Sequence, residues 1–94
     1  TPPGGMEGWN KYLSKNLKYP TQARRMGIEG TVYVVFVVNT DGSIQDVGIL
    51  RGVGGGCDEE AVRVVKNAPA WEPGRQRGRP VRVKMRLPIR FKLS

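Results

Sequence analysis

Apolar positions recur along the chain at two different periods, and each period predicts a different kind of element. From Met6 to Leu17 the residues Met6, Trp9, Leu13 and Leu17 fall three and four apart, one stripe of an amphipathic helix, and Pro20 limits how far it runs. Thr21 is placed to cap a short second helix, Gln22 to Met26, closed by Gly27. The pattern then changes. Thr31 to Asn39 is dense in Val, Tyr and Phe, Asn39-Thr40-Asp41-Gly42 has the residues of a turn, and Ser43 to Arg51 reads as a second strand antiparallel to the first. Val32, Val34, Phe36 and Val38 form one face, yet Tyr33, Val35 and Val37 make the other face apolar too. Either both faces are covered, or one is partly exposed to a partner. Ile44 and Val47 break the alternation, which predicts a bulge near Gln45-Asp46.

Beyond the glycine-rich stretch Gly52 to Gly56, Asp58 is placed to cap a helix running to about Asn67, with Glu59 and Glu60 in its first turn. Cys57 and Val62 would form a hydrophobic staple across that cap, a structural role for the thiol. Pro69 to Gly74 ends the helix, Trp71 is expected to lie over the core, and Arg75, Arg77 and Arg79 are expected in an exposed loop.

The strongest pattern is the last. From Val81 to Leu93 every odd position is apolar, and every even position is basic except Pro88, which predicts a long strand with one buried and one cationic face. Proline lacks the amide hydrogen a sheet ladder needs, so Pro88 predicts an edge strand. Backbone groups alternate sides with the same period as side chains. If the odd residues pair inward, Arg86, Arg90 and Lys92 leave backbone hydrogen-bonding groups free at the edge. Such an edge is either only protected by its Lys, Arg and Pro, or is also open to a strand-adding peptide.

Composition narrows the chemistry. With 94 residues, 38 % of them hydrophobic, the chain can build one modest core. It has no apolar stretch of roughly 18 residues, the length of a membrane span. It begins Thr1-Pro2-Pro3-Gly4-Gly5 rather than with an initiator Met, so residues 1–5 read as the end of a Pro/Gly linker in a longer protein and 6–94 as the domain. No His and a single Cys remove the usual acid–base, triad and zinc residues. Glu59 and Glu60 diverge on a helix surface and read as solvated charges, not a catalytic pair, and Gly52 to Gly56 lacks the Lys-Ser/Thr of a phosphate loop. No enzymatic activity, cofactor or metal is expected. A net charge of +8 favours an acidic partner, whether peptide, nucleic acid or anionic membrane.

Tyr19-Pro20-x-x-Ala23, Gly30-Thr31-Val32 with Phe36-Val37-Val38, Asp41-Gly42, Asp58-x-x-Ala61, Trp71-x-Pro73-Gly74 and Leu87-Pro88-Ile89-x-Phe91, in that order, resemble the TonB carboxy-terminal domain family over nearly all of residues 5–94. The resemblance implies a small α+β domain: a three-stranded antiparallel sheet with two main helices, ordered α-(short α)-β-β-α-β, its last strand at the edge. It also implies a place in the periplasm of a Gram-negative bacterium, at the end of a protein anchored in the inner membrane. There a proton-driven motor complex would energise the protein, and the domain would bind the short box of outer-membrane transporters as an added strand. Carried onto this sequence, the docking residues are Arg86, Pro88, Ile89, Arg90, Phe91 and Lys92, with Asn16, Leu17, Lys18 and Tyr19 as a second contact region. That second region lacks the glutamine and proline of the best-known members, and Pro88 departs from them by one lost edge hydrogen bond. An edge strand also permits pairing of two copies as a dimer.

Two other readings stand beside this one. TonB-like domains also occur appended to sensor or protease proteins, with another peptide as partner. A nucleic-acid-binding module would use the basic strand face, but Phe91, on the apolar face, is that strand's only aromatic, so the stacking groups of single-strand binders are missing.

Overall fold

The computed structural model describes residues 2–93; Thr1, at the start of the expected linker end, and Ser94, the last residue of the expected domain, lie outside the described residues. In chain order the elements are α1 (Gly5–Asn16), α2 (Thr21–Met26), β1 (Gly30–Val38), β2 (Ile44–Arg51), α3 (Cys57–Lys66), β3 (Gly74–Gln76), β4 (Arg79–Val81) and β5 (Val83–Phe91). Strands β2, β1 and β5 form an antiparallel sheet in that order, with β1 in the centre. This is the α+β architecture the sequence predicts. No helix among the described residues is long and apolar enough to cross a membrane.

The alternation in the two long strands decides which face is covered. Val32, Val34, Phe36 and Val38 of β1 and Leu87, Ile89 and Phe91 of β5 are buried, together with Ala61, Val64 and Val65 of α3. Thus α3 covers one face of the sheet. Over the end of that core sits an aromatic cluster. Trp71 meets Phe36 edge to face at 5.1 Å and Trp9 of α1 at 5.3 Å, and Trp9 stacks on Tyr12 at 5.4 Å. Trp71 is therefore the lid its sequence context suggests, and it also ties α1 to the sheet. Its amide donates to the Gly42 carbonyl (2.9 Å), and its own carbonyl lies 2.2 Å from where a Cβ on Gly42 would be, at φ 87°. Only glycine fits this turn beneath the lid.

Several local expectations change. Met6 is 56 % exposed and stands outside the buried stripe of α1, which begins at Trp9. Pro2 is buried and its carbonyl accepts from the Gly5 amide (2.9 Å), while Pro3 and Gly4 between them are exposed. Thr21 is the first residue of α2 rather than its cap; Pro20 holds the cap position. The bulge in β2 is present: Val35 faces Gly48 and Val37 faces Gln45, with Asp46 at φ 55°.

Asp58 does not cap α3, whose N-cap is Gly56. Its carboxylate turns back and accepts the amides of Val53 (2.9 Å) and Gly54 (3.3 Å), fixing the glycine-rich loop instead. Cys57 is the first residue of α3 and is fully buried. Burial first, and then the neighbouring carboxylates of Asp58 and Glu59, push its thiol pKa up, which keeps it protonated and a packing residue.

The arginine loop is a hairpin, β3 paired with β4, turned at Arg77 and Gly78 with both φ positive as a tight two-residue turn demands. The long terminal strand is correspondingly divided, with Val81 in β4 and β5 beginning at Val83.

Candidate functional site

Pro88 fixes the orientation of every backbone group in β5. The register with β1 runs unbroken from Gly30↔Phe91 to Val38↔Val83, and it includes Tyr33↔Pro88. In an antiparallel ladder, directly opposed residues alternately exchange two hydrogen bonds or none. Pro88 has no N–H to exchange, so Tyr33–Pro88 is a pair without hydrogen bonds, and Val34–Leu87 and Val32–Ile89 are bonded pairs. The odd residues consequently spend their N–H and C=O on β1. The even residues point theirs away: N–H of Lys84, Arg86 and Arg90, and C=O of these three and of Pro88. With β1 as the only sheet neighbour of β5 among the described residues, that row is an open edge. Lys92, also expected to take part, lies one residue past the end of the strand.

Beside the edge runs a groove of about 490 Å³, between β5 and the outer flank of α1. Leu13 and Leu17 provide an apolar wall, Asn10 and Ser14 a polar one, and Tyr19 with Arg24 closes one end against Phe91. The stretch from Lys18 to Tyr19 is locked in place. The Tyr19 hydroxyl donates to the Ile28 carbonyl, its ring meets Phe91 edge to face at 5.7 Å, and the Arg24 guanidinium lies over the ring at 5.3 Å.

The structure thus brings together residues far apart in sequence. Leu17 and Tyr19 line the groove with Pro88, Arg90, Phe91 and Lys92, while Asn16, Lys18 and Arg86 stand outside its lining. Ile89 departs from its expected role. Its side chain is fully buried and its backbone is paired with β1, so it supports the edge from the core and has nothing to offer an added strand.

One contributor escapes sequence reasoning, which treats Glu60 as a solvated charge. The Glu60 side chain is only 11 % exposed. It accepts the Lys18 amide (2.7 Å) and both the Nε and Nη2 of Arg63 (2.7 Å each), and Arg63 in turn donates to the Asn16 carbonyl (2.8 Å). A carboxylate–guanidinium pair one turn apart on α3 therefore clamps the backbone of the segment leading into Tyr19. The only sequence signal is the Glu60/Arg63 spacing itself.

The Arg63 hydrogen bond, and then the Lys18 amide, hold the Glu60 carboxyl below its ordinary pKa despite the opposing effect of burial. A carboxyl with a lowered folded pKa adds stability above the usual glutamate range and loses it as pH falls through the lowered value. We expect Glu60→Ala to cost about 1 kcal/mol at neutral pH, a drop in Tm of roughly 5 °C for a domain of this size. The difference from the parent should shrink toward zero in acid, as followed by thermal melts at stepped pH.

The sequence model described as "Gram-negative bacterial TonB protein C-terminal" matches residues 15–93. Two solution structures of the carboxy-terminal domain of Helicobacter pylori TonB are similar in fold. The one spanning that protein's residues 179–285 superposes with a TM-score of 0.72 at 27 % identity, covering 90 % of this chain and 77 % of the other. The one spanning residues 194–285 gives 0.71 at 26 % identity, covering 93 % and 91 %. A search of the curated proteins finds no match.

Proposed function

The chain belongs to the TonB carboxy-terminal domain family, and we propose on that footing that it binds an extended peptide by accepting it as an added strand on the open edge of β5. The observation that carries this reading is the outward row of backbone groups at Lys84, Arg86, Pro88 and Arg90, whose Pro88–Arg90 end lies along a groove already walled by α1. Main-chain hydrogen bonds supply affinity in such a mode, and alternate peptide side chains enter whatever the neighbouring elements offer. Here one set would meet Leu13, Leu17, Tyr19 and Phe91, and the other the cationic face. The Pro88 site lacks one donor, so the added strand would be bonded more weakly at its middle than at its ends.

The partner suited to this role is the box of an outer-membrane transporter. In that reading the domain works in the periplasm, carried by a segment anchored in the inner membrane, and it passes work from a proton-driven motor to the transporter. It performs no catalysis of its own. A TonB-like domain serving a sensor or protease protein would use the same edge with another peptide. Pairing of two copies through β5 would set Lys and Arg rows against each other on one face, which opposes it.

Titration of the isotope-labelled domain with amino-terminal peptides of transporters from the same bacterium tests the proposal. We expect saturable amide shifts within residues 83–93 and only a mild loss of affinity as salt is raised. A nucleic-acid binder would instead lose affinity steeply with salt and respond to oligonucleotides. Absence of any shift along β5 rejects strand addition.

A further inference from the structure

The face of the sheet opposite α3 carries a second recess, with a different chemistry from the groove beside α1. It has a volume of about 660 Å³ and is lined by Tyr33, Leu50, Arg51, Arg86, Leu87 and Pro88. Its origin is a second bulge in β2. Tyr33 faces Arg51 and Val34 faces Ile49, so Leu50 is the extra residue, unpaired with β1. A bulge re-aims a side chain. This one leaves Leu50 57 % exposed beside Tyr33, itself 40 % exposed, on a face where an antiparallel sheet ordinarily shows polar residues.

Arg51, Tyr33 and Pro88 are register partners in one row across three strands, with Arg86 beside Pro88 on the same face. Among the described residues, neither Arg51 nor Arg86 has a carboxylate within ion-pair distance. An apolar hollow is thus rimmed by two uncompensated guanidinium groups.

We propose that this recess is a second docking site, for an acidic peptide segment bearing one apolar anchor side chain between carboxylates. Guanidinium groups favour paired carboxylate oxygens, and the apolar floor of Tyr33, Leu50 and Pro88 gives an aliphatic or aromatic side chain a place out of water. A second copy of this chain would bring a net charge of +8 against the same arginines. A bilayer is matched poorly by a hollow, which receives a side chain rather than inserting one. The site shares Pro88 with the groove, but it needs no free strand edge, so it stands independently of strand addition.

The probe is a blocked pentapeptide with a central leucine flanked by two glutamates on each side, titrated into the isotope-labelled domain alongside its lysine counterpart. The acidic peptide should give saturable shifts at the amides of Tyr33, Leu50 and Arg51, and the lysine peptide none. Leu50→Ala should weaken binding roughly fivefold, and the double variant Arg51→Glu, Arg86→Glu at least roughly tenfold. Leu50 and the arginine side chains are exposed, so the variants should keep the parent amide spectrum elsewhere. Four outcomes would overturn the proposal: no shift at these amides, equal response to the lysine peptide, shifts confined to Lys84 and Arg90 on the β5 edge, or a response to phosphatidylglycerol vesicles alone. Strand addition is read at Lys84 and Arg90 with transporter peptides, so either idea can fail while the other survives.

Discussion

Replacing Arg90 with proline is expected to abolish most peptide binding while leaving the domain folded. The expectation follows from parity. The Arg90 amide points away from β1, as the nitrogen of Pro88 does, so a proline there removes no hydrogen bond from the sheet itself. The stability cost should stay within about 1 kcal/mol. An added strand, however, loses a donor and meets a pyrrolidine ring on its hydrogen-bonding side, next to the donor already missing at Pro88. An unmet ladder position of this kind costs on the order of 2 kcal/mol, more than tenfold in Kd, and the steric block adds to it.

Ile89→Pro is the instructive neighbour. The Ile89 amide belongs to the bonded pair with Val32, and the side chain is fully buried. That change should destabilise the fold by about 3 kcal/mol or more. Calorimetric titration with a transporter peptide, paired with chemical denaturation, separates the two. Equal loss of stability in both variants would contradict the assigned parity.

The second large effect is expected at Trp71. It is 3 % exposed and touches both Phe36 in the central strand and Trp9 in α1, so Trp71→Ala leaves a cavity at the junction of sheet and helix. Neither the Trp9 nor the Trp71 indole N–H has a hydrogen-bond acceptor among the described residues, so the rings are held by packing. Truncating a buried tryptophan costs about 3–5 kcal/mol, and a small domain has only on the order of 5–10 in total. We expect a large shift in the urea midpoint and substantial unfolding at 37 °C, with Trp71→Phe retaining more than half of the stability. Because α1 forms the wall of the groove, the alanine variant should also lose peptide affinity in whatever fraction remains folded. A loss below about 1 kcal/mol would mean that α1 is held on the sheet by other contacts, such as Tyr12 donating to the Val64 carbonyl.

The parts of the fold legible in the sequence are those where a period is long and one face is buried. The odd–even pattern of β5 sets both its side-chain faces and, through Pro88, its backbone directions. The Ile44–Val47 irregularity marks the first bulge in the same way. Legibility fails where a short polar side chain chooses between nearby backbone partners. Asp58 has the composition of a helix cap, yet its carboxylate serves the amides of Val53 and Gly54, because the chain approaches α3 through glycines that bring those amides within reach. It fails again where a contact spans distant segments. Glu60 reads as a surface charge until α1 ends beside α3 and the Lys18 amide arrives next to it. The second bulge sits where the adjacent apolar residues Ile49 and Leu50 break the alternation, a doublet that a strand covered on both faces would also show, and only the register with β1 reveals that Leu50 is the extra residue. The candidate site was half visible for the same reason. The edge is a property of one segment, whereas the groove needs α1 placed against β5.

Amide hydrogen exchange along β5 distinguishes an open edge from a closed one. In the free domain the amides of Met85, Leu87, Ile89 and Phe91 should exchange slowly, because they are bonded to β1, while those of Lys84, Arg86 and Arg90 exchange fast. Saturation with a transporter peptide should slow the second set and leave the first nearly unchanged. If the even amides are already protected in the free domain, or stay fast when the peptide is bound, the open edge of β5 is not where the partner strand is held.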